Sequence, residues 1–254
     1  MKTLINGNWV SRSVEEKTVD GSFKRHKTAF RNWITRDGSA GPSGKGGFKA
    51  ESKRYHLYVS LACPWAHRTL IIRLLKGLSE HVGVSIVHPL MKENGWELVN
   101  DYPSTTGDPI LGKSAIYEIY LKANPFVTSR ASVPVLWDKK HDTIVSNESA
   151  EIIRMFNSAF DEVTGNTDDY YPIALRSKID LINTDIYNDV NNGVYKTGFS
   201  STQNAYAKSV RALFSQLDKL DELLSKQRYL LGGVITEADW RLFPTLVRFD
   251  CVYV

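Results

Sequence analysis

Between Tyr55 and Gly77 the chain reads YHLYVSLACPWAHRTLIIRLLKG, and this stretch restricts the fold more than any other. A strand-like run, Tyr55–Leu61, leads to one cysteine, Cys63. Pro64 follows, and then an apolar helical run that Gly77 ends. Proline suits the first helical position, because its missing N–H is not needed there and its fixed φ is already helical. Cys63 is therefore expected at a helix N-terminus. Unsatisfied backbone N–H groups and the helix dipole both favour a thiolate at such a place, and the thiolate is the nucleophilic form. From the residues alone, Cys63 is either a reactive thiol or a small buried core residue. Position 66, where a Cys-x-x-Cys motif would place a second thiol, is Ala66.

The surrounding pattern extends this reading. Residues 1–54 look irregular, with a flexible Gly38–Gly47 stretch that lacks the spacing of a phosphate loop. Phe23, Phe30 and Trp33 suggest that this arm packs on other parts of the chain. After the helix at Trp65–Gly77, strand signals fall at Val84–Leu90, Val133–Trp137 and Thr143–Val145. Helical spacing falls at Ser114–Leu121 and again from Ser149, where Ile152, Ile153 and Phe156 share one face. The order βαβ then ββα is a thioredoxin-like layout with the cysteine at the start of its first helix. Beyond Asp161–Tyr171 the strand signals fade. Pro172–Val190, Thr202–Ser225 and Glu237–Val247 have helical spacing, and Thr236-x-x-Asp239 is an N-capping arrangement. The expected architecture is α/β plus all-α. An N-terminal extension spans 1–54, a thioredoxin-like domain 55–161, and a helical domain 172–254.

Composition narrows the function. The net charge of +4 comes without a dense Lys/Arg block, so nucleic acid is not implied. No apolar run approaches the roughly 20 residues of a membrane span, and MKTLINGNWVSRS lacks the apolar core of a signal peptide. Two cysteines far apart in sequence suit a reducing cytoplasm. The six histidines form no His-x-x-x-His or Cys/His cluster, so no metal is expected. His67 and Arg68 read as structural or polar-face residues, and Cys251 as a bland one. Asn147-Glu148-Ser149 is formally a glycosylation sequon, with little meaning in that compartment.

Longer words then become recognisable: AFRNWITRDG, YHLYVSLACPWAHRT, NGW, VPVLWDKK, TIVSNESAEIIRMFN, NNGVYK and TEADWRL. They are similar to the sequences of the glutathionyl-hydroquinone reductases, the Xi class of cysteine-type glutathione transferases. The resemblance runs from Gly7 to Val254. It implies a thioredoxin-like N-terminal domain and a glutathione-transferase-type helical C-terminal domain. It also implies glutathione as co-substrate and homodimeric assembly.

The resemblance implies residue roles as well. Cys63 is the nucleophile that takes glutathione from a glutathionyl-hydroquinone. Tyr195, in NNGVYK, matches the proton donor, although a tyrosine near a helix end is more often a packed ring. Tyr253 matches a tyrosine that assists the thiolate. Trp96, Arg130, Ala131, Ser132, Val133, Glu148 and Ser149 match glutathione-binding positions. From the residues alone, Arg130 is equally a surface arginine, Trp96 a loop anchor and Ser149 a plain helix cap. Pro134 matches the cis-proline of the thioredoxin fold, whose preceding residue offers its backbone to a peptide ligand; an ordinary trans proline is the alternative. Pro134, Thr236 and Asp239 are structural. An omega-like thioltransferase or dehydroascorbate reductase remains an alternative activity, as does glutathione binding without turnover. Members of the family continue past the position of Val254, so the chain reads as C-terminally truncated. The missing part would hold helical packing, dimer contacts and a further substrate-facing tyrosine.

Overall fold

A computed structural model describes residues 2–11 and 18–253. Residues 12–17, within the N-terminal stretch, and Val254, where the family resemblance ends, lie outside the described residues. By contact the chain divides into two units: residues 1–13 with 27–168, and residues 14–26 with 169–254.

The first unit opens with structure where irregular chain was expected. Strands β1 (Lys2–Ile5) and β2 (Asn8–Ser11) form an antiparallel hairpin around Asn6-Gly7. Both turn residues have positive φ, 45° and 79°, as a tight two-residue turn requires. Gly7 is also required by space, since a Cβ there would lie 1.9 Å from the carbonyl oxygen of Pro125. The hairpin attaches to the segment just before Arg130. Leu4 and Ser129 exchange two backbone hydrogen bonds of 3.0 Å, and Trp9 stacks on Tyr117 at 4.6 Å.

The central sheet combines β3 (Tyr55–Val59), β4 (Val82–Ile86), β5 (Val135–Asp138) and β6 (Thr143–Ser146) in the order β4-β3-β5-β6. The β3–β4 pair is parallel, and the β3–β5 and β5–β6 pairs are antiparallel. All five residues of β3 are buried, consistent with a strand paired on both sides. Residues 30–32 run along the outer edge of β6. Asn32 N–H donates to the Val145 carbonyl at 2.9 Å and Asn147 N–H to that of Phe30 at 3.2 Å, which covers an otherwise unpaired strand edge.

Helix α1 (Pro64–Leu75) follows β3, α2 (Ile116–Ala123) precedes β5, and α3 (Ser149–Ser158) follows β6. Helices α1 and α3 pack on each other, and α2 packs on β6. At the end of α1, Lys76 is fully buried; its Nζ donates to the carbonyls of Asn166 (2.8 Å) and Asp168 (2.5 Å) and pairs with Asp161 (3.0 Å). That triple contact compensates an ammonium removed from water and ties α1 to the short α4 (Asp161–Thr164).

The second unit is helical: α5 (Arg176–Asp185), a wider π-type turn (Ile186–Asn191), α6 (Gly193–Gly198), α7 (Gln203–Leu224), α8 (Glu237–Leu246) and a final π-type turn (Phe249–Tyr253). Ile186, Val190, Val194, Leu213, Leu220, Leu230, Ala238 and Leu242 form its core. The run Pro172–Val190, expected as one helix, is a 3-10 turn at Ile173–Leu175, then α5, then the π-type turn. Thr236 caps α8 in a reciprocal capping box with Asp239. The Asp239 carboxylate accepts from Thr236 N–H (2.9 Å) and Thr236 O–H (3.1 Å), and also from Leu230 N–H (2.9 Å). No described helix is long and apolar enough to cross a membrane.

Candidate functional site

Cys63 occupies the N-cap of α1, in extended conformation, with Pro64 at the first helical position. Its backbone N–H donates to the Ser60 carbonyl at 3.1 Å, and its carbonyl accepts from His67 N–H at 3.0 Å. The side chain makes no capping bond. Instead the thiol donates to the backbone carbonyl of Val133 at 3.5 Å. Cys63 is 8% exposed. Neither Cys63 nor Cys251 forms a disulfide. Of the two readings of Arg68, structural or polar-face, the structural one fits its place: it is fully buried, with its guanidinium 4.8 Å from the Trp65 ring centre.

The Val133-Pro134 bond is cis. Arg130, Ala131, Ser132 and Val133 form the short segment entering it, and the Arg130 carbonyl accepts from Ser132 N–H at 3.1 Å. Ala131 and Val133 are buried, whereas Arg130 and Ser132 are half-buried. Glu148 and Ser149 lie at the start of α3. Glu148 is the N-cap, with its carboxylate accepting from Ala150 N–H at 3.3 Å, and Ser149, for which a plain cap was the alternative reading, is the buried first residue of the helix. The Glu148 carboxylate also accepts from Thr28 O–H at 3.3 Å.

The two segments are joined through side chains that the sequence did not flag. The phenol of Tyr120, on α2, donates to the Ser132 carbonyl (3.0 Å) and accepts from Ser132 N–H (3.3 Å) and Asn147 Nδ2 (2.9 Å). The side-chain carbonyl of Asn147 in turn accepts from Phe30 N–H at 3.0 Å. Burial pushes the Tyr120 phenol up, although its bonds to Ser132 and Asn147 pull the other way. It therefore stays a donor, as the bond to the Ser132 carbonyl requires. Asn147 is buried, so the formal sequon is closed by its own hydrogen bonds.

Trp96 is placed on a separate loop. Gly95, at φ 74°, closes the turn, and the Trp96 carbonyl accepts from Ile116 N–H at the start of α2 (2.9 Å). Tyr195 and Tyr253 belong to the helical unit, with ring centres 6.2 Å apart. Thr236 and Asp239 form the cap of α8. Among the described residues no group of three His, Cys, Asp or Glu side chains is placed to hold a metal ion.

This geometry suits thiol chemistry on a peptide-like ligand. The thiol sits at a helix start, beside backbone able to pair with an extended peptide. A second helix start and a carboxylate complete the set, suited to a ligand's carboxylate and ammonium.

Comparison with known proteins agrees. The family model for the glutathione S-transferase N-terminal domain matches residues 62–159, and that for the C-terminal domain matches residues 203–254. The chain is 56% identical over 254 residues to glutathionyl-hydroquinone reductase YqjG of Escherichia coli (strain K12), covering 100% of this chain and 77% of that one. It is 45% identical over 253 residues to glutathionyl-hydroquinone reductase PcpF of Sphingobium chlorophenolicum, with 100% and 77% covered. The glutathione-bound structure of YqjG from Escherichia coli K-12 superposes with a TM-score of 0.90 at 54% identity, over 99% of this chain and 76% of that one. The chain belongs to the glutathione transferase family, among its glutathionyl-hydroquinone reductases.

Proposed function

We propose that this protein reduces glutathionyl-hydroquinones to hydroquinones, with glutathione as co-substrate and Cys63 as the nucleophile. The observation that carries the proposal is the Cys63 thiol at the N-cap of α1, 3.5 Å from the carbonyl of Val133, which precedes the cis-proline. The Cys63 thiolate attacks the glutathione sulfur of the thioether. The C–S bond breaks, its electron pair stays on the ring carbon, and that carbon takes a proton as the hydroquinone leaves. A Cys63–glutathione disulfide remains. A second glutathione thiolate attacks it, releasing oxidised glutathione and restoring the Cys63 thiolate. Ala66 supports a second glutathione as the resolving thiol, because the helix offers no partner cysteine there.

In this reading Tyr195 protonates the departing carbon as a general acid, and Tyr253 assists the thiolate through its hydroxyl. Trp96 covers glutathione. The Val133 backbone pairs with its cysteinyl unit, with Ala131 and Ser132 shaping the approach. Glu148 and the start of α3 at Ser149 hold its γ-glutamyl end, and Arg130 its other carboxylate. The protein is proposed to act in the cytoplasm as a homodimer. Two thiols outside any disulfide support the compartment, and family membership supports the assembly.

The test mixes the purified protein with glutathionyl-menadiol and excess glutathione and follows menadiol release. We expect Cys63→Ser to reduce release to the uncatalysed background. Tyr195→Phe is expected to slow it by about 10²- to 10⁴-fold, the usual contribution of a positioned acid. Menadiol release that persists in Cys63→Ser would overturn the proposal.

A further inference from the structure

Within the helical unit, residues 18–26 lie against α6 and the start of α7. The Gly21 carbonyl accepts from Ser201 N–H at 3.0 Å, and the Asp20 carbonyl accepts from Thr202 O–H at 2.8 Å. A Cβ at Gly21 would meet Thr202 at 2.7 Å, so the segment approaches as closely as glycine allows. Two residues later the Phe23 ring lies 6.4 Å from that of Tyr195, with planes 25° apart, and 5.5 Å from that of Phe199. Arg25 places its guanidinium carbon 4.6 Å from the Tyr195 ring centre and 5.6 Å from that of Phe23. Its Nε donates to the side-chain carbonyl of Asn192, the buried residue just before α6. The cation is thus held at one end by a hydrogen bond and laid over the ring at the other.

Other groups also lie near Tyr195. On its own helix, Lys196 turns away to donate to the Asn188 carbonyl at 2.8 Å. From the final turn comes the Tyr253 ring. The Phe199 ring lies 6.1 Å away, and Tyr195 packs against the apolar core of the helical unit. Arg25 supplies the positive charge over the ring face.

We propose that Arg25 is a positioning residue for proton transfer: stacked on Tyr195, it orients the phenol and stabilises the phenolate left when the proton has gone. The proposal rests on Tyr195 being the proton donor. As the C–S bond breaks and the Cys63–glutathione bond forms, the ring carbon takes the O–H proton of Tyr195. The negative charge then spreads into the ring beneath the guanidinium, until water returns the proton. A cation over an aromatic face stabilises that charge more than it does the neutral phenol.

The test is single-turnover menadiol release from glutathionyl-menadiol, without added glutathione and without oxygen, from pH 6 to 11 (roughly the span of thiol and phenol titration). Arg25→Ala is expected to lower the plateau rate about ten-fold. It should also move the alkaline decline, where Tyr195 has lost its proton, upward by about one pH unit. Arg25→Gln, which keeps a donor for Asn192 but no charge, should behave like Arg25→Ala. Arg25→Lys should recover part of both effects. Should Arg25→Ala not fold, the Gln and Lys variants carry the comparison. In a Tyr195→Phe background, Arg25→Ala should cost nothing further. An unmoved decline in both neutral variants, or losses that multiply with Tyr195→Phe, overturns the proposal. If Tyr195→Phe itself keeps the native rate and decline, the proton-donor assignment has failed and Arg25 falls with it, a result distinct from the other two.

Discussion

At the scale of single residues, Tyr120 holds more of the candidate glutathione site than any side chain that would touch the ligand. One phenol joins the segment before the cis-proline to the turn before α3. Tyr120→Phe would leave the Ser132 and Asn147 donors without that partner, at about 1–3 kcal/mol for a buried group left unsatisfied. We expect glutathione binding to weaken several-fold, measured by calorimetry on the Cys63→Ser protein so that no chemistry follows binding. An unchanged affinity would show that the two segments hold their places without Tyr120. The contrast with Cys63 explains what was legible in the sequence. Cys63, Pro64 and the helix they start are neighbours, so a local pattern reveals them. Tyr120, Ser132 and Asn147 meet only in the fold, and nothing near any of them announces the meeting. Glu148 shows a third case. The helix start was visible, but which residue caps it was not: Glu148 does, because its longer carboxylate folds back onto Ala150 N–H.

At the scale of elements, the cap of α8 was legible because Thr236 and Asp239 stand three residues apart, within reach of the same first turn. What the pattern could not give is the third bond, from Leu230 N–H to the Asp239 carboxylate, which fastens the preceding loop to the helix. Asp239→Ala should therefore cost more than the ~1 kcal/mol of an ordinary cap, about 2 kcal/mol in all. Urea denaturation should show it as a lower midpoint with an unchanged slope. The β1–β2 hairpin falls where irregular chain was expected, despite a legible signal, the Asn6-Gly7 pair between two short apolar runs. The second strand was expected at Val84–Leu90 and lies at Val82–Ile86; beyond it, His88 Nδ1 accepts from Leu90 N–H, so the chain turns at Pro89 instead of continuing. The helix expected at Pro172–Val190 changes to a π-type turn at Ile186, and helical spacing alone does not distinguish the two over so few residues.

At the scale of the whole molecule, acid stability is expected to depend on one buried histidine. His56, in β3, is buried, and its Nε2 lies 2.9 Å from the Ser85 hydroxyl. Burial pushes its pKa down to about 4. The unfolded chain takes up that proton near pH 6.5, and the folded protein only near pH 4. Between those values the unfolded state binds more protons, so stability falls as pH falls, by at most about 3 kcal/mol. Above pH 6.5 His56 contributes no slope. Urea midpoints measured across this range should decline towards acid, and His56→Gln should flatten the decline. An unchanged slope would assign it to the carboxylates instead.

The hairpin turn also carries a chemical clock. An asparagine followed by glycine is the sequence most prone to deamidate, because the glycine nitrogen can attack the asparagine side chain and close a five-membered imide. Here the nitrogen of Gly7 is engaged with the Val127 carbonyl at 3.1 Å, and the Asn6 side-chain carbonyl accepts from the Thr128 hydroxyl at 3.2 Å. The attacking nitrogen is occupied while the hairpin stays docked, so ageing at Asn6 is expected to record how often the hairpin lifts away.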